Sequence, residues 1–280
     1  MFSCGTDKTE ESIKFFKRGN QKLKEKEYLE AIHWFDESVK QNPKFADSYN
    51  NRGLAYQKIE KIEEALKDFD KAIEIDKKYW EAYYNRAEAF FLKGDFENAM
   101  IDYNKLIVPF KDSSFYYVSR ADTKVQLGNT SGATADYEKA ILLNPKNAEA
   151  YTNQGYLYFE NKEFNLAKRS FQKAISVDSK QDFALNNLAF ILNQEKNYSE
   201  ALKMVNLALK QEVAQPFYLN NKGLILLNLG RLEEAKELIE RSIRLNDKNA
   251  LAYQNLGLYY LKKGDNLRAN ENFKIAKELE

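Results

Sequence analysis

Asparagine recurs along the chain at multiples of 34 residues, and its side chain can recognise a peptide backbone. Each amide carries two N–H donors and one acceptor oxygen, so it can pair with both the N–H and the C=O of an extended peptide. The row comprises Asn51, Asn85, Asn153, Asn187, Asn221 and Asn255. We expect this row to be exposed and to bind peptide backbone. A hydrogen bond to the neighbouring repeat is the alternative use of each amide.

Large apolar side chains accompany the asparagines and could select the side chains of a partner. In the 34-residue unit they occupy positions 2, 5, 9 and 12, on the same side as the asparagines. They are Tyr84, Phe91, Phe115, Tyr156, Phe159, Phe183, Phe190, Phe217 and Leu224. An exposed apolar surface of this extent is typical of an interaction site. Packing between neighbouring repeats is the alternative explanation.

A repeat of 34 residues positions both sets of side chains. With Ser12 as position 1, further units begin at Ala46, Trp80, Ser114, Ala148, Asp182, Pro216 and Ala250. Position 8 is Gly or Ala in all eight units, position 20 is always Ala, and large residues prevail at positions 4, 11 and 24. Positions 4, 8 and 11 share one helical face, as do 20, 24 and 27, so each unit is predicted to form two amphipathic helices.

Glycine and proline occur where such helices should end. A glycine at position 15 predicts a left-handed residue after the first helix, and this applies to Gly94, Gly128, Gly230 and Gly264. All four prolines lie between units, and Pro109 should shorten the helix before it. If the array bends, we expect the bend between Val108 and Ser114. The predicted fold is therefore all-α, an α-solenoid of stacked antiparallel helix pairs, with residues 1–11 as a leader or tether and residues 12–280 as a single solenoid.

This pattern of small and aromatic residues resembles the tetratricopeptide repeat family over residues 12–280. The resemblance implies a right-handed superhelix whose first helices line a concave groove and whose second helices form the convex back. It also implies a non-enzymatic scaffold that binds a peptide or a segment of a partner protein in the groove.

Some members of this family hold the acidic tail of heat-shock chaperones with a carboxylate clamp, which would make the chain a co-chaperone. Asn20 and Asn51 match the clamp, whereas Phe16, Glu81 and Asn85 replace the basic residues that would neutralise the tail. The sequence therefore disfavours this alternative.

Composition argues against several other classes of function. Lys plus Arg number 43 and Asp plus Glu number 42, so no net field favours nucleic acid. No run approaches the roughly 18 apolar residues of a membrane span. His33 and Cys4 are the only histidine and cysteine, and no phosphate-loop or zinc-protease motif occurs. We expect no catalysis, no metal, no cofactor, and a monomer.

The residues around Cys4 are compatible with two cellular compartments. The stretch Met1-Phe2-Ser3-Cys4 resembles the end of a bacterial lipoprotein signal, in which a small residue precedes a lipid-modified cysteine. The sequence does not include the apolar segment that such a signal needs upstream. One interpretation is a cytoplasmic protein with an unmodified thiol. The other is a bacterial membrane lipoprotein, anchored at Cys4, that serves as an accessory subunit of a larger assembly.

Overall fold

A computed structural model of the chain describes residues 3–279, with side chains from residue 9 onwards. These residues form sixteen α-helices and no β-strand. The helices are α1 (Ser3–Lys24), α2 (Tyr28–Gln41), α3 (Ala46–Lys58), α4 (Ile62–Ile75), α5 (Trp80–Lys93), α6 (Phe96–Ile107), α7 (Ser114–Gln126), α8 (Thr130–Leu143), α9 (Ala148–Glu160), α10 (Phe164–Val177), α11 (Asp182–Gln194), α12 (Tyr198–Gln211), α13 (Pro216–Asn228), α14 (Leu232–Leu245), α15 (Ala250–Lys262) and α16 (Asn266–Leu279).

Helices pack in pairs, each odd-numbered helix against the even-numbered helix that follows it. A short turn joins the two members of each pair, which makes them antiparallel. The predicted all-α fold of paired helices is therefore confirmed. The odd-numbered helices from α3 to α15 begin at the residues where the sequence units begin. By contrast, α1 begins at Ser3, so most of the segment assigned to a leader is helical.

The contact between the helices of a pair depends on a small residue in the first helix. A Cβ atom built on Gly53 would lie 2.7 Å from the ring of Phe69, which is fully buried. In the last repeat, a Cβ atom on Gly257 would lie 2.5 Å from the Phe273 ring. At these two glycines an added side chain would push the aromatic ring away, so position 8 is small because position 24 is large.

A left-handed residue ends the first helix of every repeat, as predicted for the four glycines. Their φ angles are +82° at Gly94, +72° at Gly128, +76° at Gly230 and +79° at Gly264. The other four repeats adopt the same backbone conformation without glycine, at Lys26, Glu60, Lys162 and Lys196, with φ between 61° and 63°. This conformation costs roughly 1–2 kcal/mol for a residue with a Cβ atom. The turn geometry of the repeat is thus kept even where glycine is missing.

Pro109 shortens the helix before it, as the sequence predicts. Helix α6 ends at Ile107, so six residues connect it to α7, whereas four residues connect α2 to α3 and α4 to α5. The boundary between the two compact parts of the chain lies elsewhere. Unit 1 extends to Leu143 and unit 2 begins at Asn144, so each unit contains four repeats. The assignment of residues 12–280 to one solenoid stays a prediction.

First helices of consecutive repeats contact one another within each unit. In unit 1, α1 contacts α3 and α3 contacts α5; in unit 2, α9, α11, α13 and α15 follow one another in contact. We call the surface formed by these helices, with α7 included in unit 1, the first-helix face of each unit. It is the surface on which the sequence analysis placed the candidate binding residues.

Partly buried arginines connect the repeats of unit 1. The Nη2 and Nε atoms of Arg52 donate to both carboxylate oxygens of Asp68, at 2.6 and 2.8 Å, and Nη1 donates to Asp36 of the preceding repeat at 2.6 Å. Burial raises the pKa of the Asp68 carboxyl group, and the Arg52 guanidinium opposes that effect. The same arrangement recurs with Arg86 between Asp102 and Asp70, and with Arg120 between Asp136 and Asn104. We call this series the arginine ladder.

Unit 2 has no arginine at the positions equivalent to Arg52, and repeats five and six have uncharged side chains both there and at the positions equivalent to Asp68. In repeat five, the Ser170 hydroxyl donates to the Gln154 side chain at 3.0 Å. In repeat six, Leu188 and Met204 occupy these positions and belong to one buried apolar cluster. The spacing of small and large residues did not predict this difference. The two units therefore share a backbone plan but are stabilised by different side-chain chemistry.

We predict that the Arg86→Leu substitution lowers the free energy of unfolding by about 3–5 kcal/mol, because it leaves the Asp102 carboxylate buried without its cation. Asp102 is only 1% exposed. Adding Asp102→Met reproduces the Leu188 and Met204 pair of repeat six and should restore most of the loss. Urea unfolding followed by circular dichroism measures both changes. Equal destabilisation of the single and double variants would contradict the role given to the ladder.

Candidate functional site

A cavity of about 400 Å³ opens on the first-helix face of unit 2. Its walls come from α11, α13 and α15, together with the turn before α12 and the first residue of that helix. The lining residues are Phe190, Asn193, Gln194, Lys196, Tyr198, Asn220, Asn221, Leu224, Asn228, Leu251, Gln254, Asn255 and Leu258. Lys196 is the one charged residue among them. The site is therefore a mixture of carboxamides and apolar side chains with little charge.

Asparagine side chains in and beside this cavity bond to one another across consecutive repeats. Each bond has an Nδ2 donor in one first helix and an Oδ1 acceptor in the first helix before it. The pairs are Asn221 to Asn186 at 2.9 Å, Asn255 to Asn220 at 3.0 Å, and Asn228 to Asn193 at 3.0 Å. We call these six residues the asparagine network. It orients the amides of the cavity, because each donor is held by a partner in the first helix before it.

Aromatic and leucine side chains form the apolar part of the site. The Phe190 ring packs edge-on against Phe159, with ring centroids 5.4 Å apart. Leu224 and Leu258 lie half-buried in the cavity wall, and Leu251 is exposed at its edge. An apolar group that enters here would be surrounded by carbon on one side and by amides on the other.

The row of six asparagines predicted from the sequence is used mainly between repeats. Asn51 donates to Asn20 at 2.7 Å and Asn85 donates to Asn50 at 2.9 Å, as Asn221 and Asn255 do in unit 2. The alternative of a bond to the neighbouring repeat is therefore confirmed for these four. Binding of a peptide backbone by the row stays a prediction.

Two members of the row are less exposed than expected. Asn187 and Asn255 are 8% and 6% exposed, and the Asn187 amide donates to the carbonyl oxygen of Phe183 in its own helix at 2.8 Å. Asn153 is half-buried on α9. The row is thus regular in its spacing but uneven in its exposure, because the first helices of unit 2 pack closely.

The predicted aromatic residues come together in three groups. Tyr156 lies 5.3 Å from Phe183, Phe159 lies against Phe190, and Tyr84 of unit 1 lies 5.1 Å from Phe115, all between ring centroids. Phe91 packs instead against Phe96 of its own repeat, at 5.2 Å. About half of the Phe115 and Phe217 side chains is exposed. Burial, with a smaller effect of Glu160, raises the pKa of Tyr156, so its hydroxyl group remains a donor at neutral pH.

The residues that matched a carboxylate clamp are engaged with each other. Asn51 donates to Asn20, and the Phe16 ring packs against Phe45 with centroids 4.9 Å apart. Phe16 stands where a clamp has its lysine, so this position offers no cation to an incoming carboxylate.

Three further predictions concern metal binding, membrane-spanning segments and the lipidation of Cys4. His33 is exposed beside Trp34, and no group of three or more His, Cys, Asp or Glu residues in the described part of the chain could hold a metal ion. None of the described helices is long and apolar enough to cross a membrane. The Cys4 side chain lies outside the described residues, so its lipidation stays a prediction.

The sequence analysis missed the residues that accept hydrogen bonds from Asn85, Asn221 and Asn255. Asn50, Asn186 and Asn220 stand at position 5 of their repeats, directly before an asparagine of the predicted row. The asparagine doublet at positions 5 and 6 was the available signal. A doublet in consecutive repeats lets the second residue of one repeat reach the first residue of the repeat before it.

Comparison of the structure with solved structures shows the fold. The chain is similar to the APC/C hetero-tetramer Cut9-Hcn1, with a TM-score of 0.70 and 20% identity over 89% of this chain and 46% of that chain, so it spans about half of that relative. It is similar to a tetratricopeptide repeat protein from Parabacteroides merdae, with a TM-score of 0.64 and 19% identity, covering 84% and 93% of the two chains. For pilF of Pseudomonas aeruginosa the TM-score is 0.67 with 20% identity, covering 75% and 96%.

Family models match the sequence itself. Models described as tetratricopeptide repeat match residues 46–79, 81–107, 148–181 and 216–249, and a model described as TPR repeat matches residues 121–162. The comparison with curated proteins gives no match. The matched segments together cover more than half of the sequence, and four of the five span one helix pair each. The chain therefore belongs to the tetratricopeptide repeat family.

Proposed function

We propose that this protein is a non-enzymatic interaction scaffold that binds an extended segment of a partner protein on the first-helix face of unit 2. The observation that supports the proposal is the cavity between α11, α13 and α15, where oriented amides meet apolar side chains. Its volume of about 400 Å³ falls within the usual range of ligand sites. It has room for a large apolar side chain with the adjoining main chain.

The amides retain capacity to bind a peptide after their bonds to each other. Each bond in the asparagine network uses one N–H of the donor amide. A carboxamide has a second N–H and an oxygen that accepts from two directions. Asn221 can therefore bond to Asn186 and to a peptide at the same time. Its orientation is set before binding, which reduces the entropy lost on association.

Apolar contacts would supply most of the affinity. Phe190, Leu224 and Leu258 line the cavity, and the half-exposed rings of Phe183 and Tyr156 lie on the same face. Because Lys196 is the one charged lining residue, salt should have little effect on binding at this site. The favoured ligand is an uncharged segment with a leucine, isoleucine or phenylalanine at its centre.

We predict that Leu224→Ala weakens binding about tenfold, because it removes an apolar wall of the cavity and leaves the helix intact. The probe is an uncharged peptide selected by the wild-type protein from a random displayed library, and calorimetry measures its dissociation constant. The matched control is Leu267→Ala, at an exposed leucine of α16.

Unchanged binding by Leu224→Ala, with normal helicity, would contradict the use of this cavity. So would equal losses for Leu224→Ala and Leu267→Ala, because Leu267 lies outside the cavity. The use of this cavity would also be contradicted if the library yielded no peptide whose binding depends on Leu224.

We predict that Asn221→Ala weakens binding of the same peptide at least threefold, even when Asn186 is already alanine. In the wild type, Asn221 bonds to Asn186, so a single substitution removes that bond and any bond to the peptide together. In the Asn186→Ala background only the bond to the peptide remains to be lost. A neutral hydrogen bond is worth roughly 0.5–1.5 kcal/mol, which calorimetry resolves. No further loss in that background would show that Asn221 serves only the contact between repeats.

A further inference from the structure

The first-helix face of unit 1 differs in chemistry from that of unit 2. On α5, Glu81, Tyr84 and Glu88 are spaced three and four residues apart and so share one side of the helix. Phe115 of α7 lies against Tyr84, and half of its side chain is exposed. We call these four residues the acidic aromatic surface.

Both carboxylates are placed next to aromatic rings. The Glu88 carboxylate accepts a hydrogen bond from the hydroxyl group of Tyr103, which is itself hydrogen-bonded to Ser119 of α7. Burial and the nearby Glu81 carboxylate raise the pKa of Tyr116, whose ring packs against both Tyr84 and Phe115. The negative charges of α5 therefore lie where α5 and α7 meet, on either side of the Tyr84 ring.

The basic residues of α5 and α7 are all engaged elsewhere. Arg86 and Arg120 belong to the arginine ladder, and Lys124 contacts Asp136 at 2.7 Å. Lys93 contacts Glu63 at 2.8 Å. Within residues 9–279, neither Glu81 nor Glu88 forms a salt bridge. The surface thus combines two carboxylates with half-exposed rings, and the cations of its own helices point to other partners.

We propose that the acidic aromatic surface binds a basic, extended peptide segment through lysine or arginine side chains. Carboxylates attract such cations, and the faces of Tyr84 and Phe115 can contact them and their aliphatic stems. Glu81 and Glu88 are seven residues apart, which is about 10 Å along a helix. Three residues of a polyproline II segment span about 9 Å and bring the side chain back to the same side, so the matching ligand has basic residues at positions i and i+3. This goes beyond the function proposed for unit 2, because it concerns another surface and a charged ligand.

The test uses the full chain and a fluorescein-labelled peptide in which two lysines, three residues apart, are flanked by glycine and serine. Fluorescence anisotropy at low ionic strength measures its dissociation constant. Matched peptides carry glutamine or glutamate in place of lysine. The test variant is Glu81→Gln with Glu88→Gln, which keeps an acceptor oxygen for Tyr103. The control variant, Glu97→Gln with Glu138→Gln, makes the same change of net charge at exposed residues of α6 and α8.

We expect the test variant to bind the lysine peptide at least tenfold more weakly than the wild type, and the control variant to stay within twofold. We also expect added salt to weaken binding by the wild type, because the contact is between charges. Leu224→Ala should leave this binding unchanged, so a failure here is separate from a failure of the cavity in unit 2.

Three results would overturn the proposal. The first is equal binding of the lysine and glutamine peptides, which would identify an apolar ligand instead. The second is equal weakening by the test and control variants, which would reduce the effect to net charge. The third is self-association of the wild type that is lost in the test variant, since the occupant would then be a second copy of this chain.

Discussion

The contact between an apolar side chain at position 24, in most repeats an aromatic ring, and a small residue at position 8 is the constraint on which the rest of the structure depends. It is seen where Phe69 lies against the backbone of Gly53 and where Tyr103 is buried in the repeat that carries Ala87. Burial of this side chain drives the two helices together; it is an aromatic ring in six repeats, Val205 in repeat six and Ile239 in repeat seven. Once they are paired, the neighbouring faces of the first helix are directed towards the next repeat and towards solvent, and these faces carry the candidate binding residues.

The polar groups at the junctions between repeats find hydrogen-bond partners of partly different types in the two units. A polar group at the junction needs a partner, because an unpaired buried donor or acceptor is costly. Both units have amide pairs, as between Asn85 and Asn50 in unit 1 and between Asn255 and Asn220 in unit 2, but unit 1 adds arginine between carboxylates, as at Arg52. This choice also shapes the surfaces. The ladder engages the arginines of α5 and α7 and leaves acidic and aromatic side chains on the first-helix face, whereas the amide pairs leave a nearly uncharged cavity.

Much of the fold could be predicted from periodicity, and the site could be predicted only in part. Three features follow from local sequence, because each depends on the residue type at particular positions. They are the starts of the odd-numbered helices α3 to α15, the left-handed glycines, and the shortening of the helix before Pro109. The aromatic pairs Tyr156 with Phe183 and Tyr84 with Phe115 join residues that the sequence had assigned to one surface. The burial of Asn187 was not predicted, because burial depends on how closely the neighbouring helices approach.

The sequence by itself determined the repeat, the helix pairs, the family, and the set of side chains on the first-helix face. It could do so because periodicity states which residues share a helical face. Only the tertiary structure decided which partner each polar side chain takes. Asparagines are present in the repeats before and after that of Asn221. The structure shows that Asn221 forms a hydrogen bond with Asn186, 35 residues earlier in the chain. A hydrogen bond is made or lost over a few tenths of an ångström, and that distance is set by the packing of whole helices rather than by spacing along the chain.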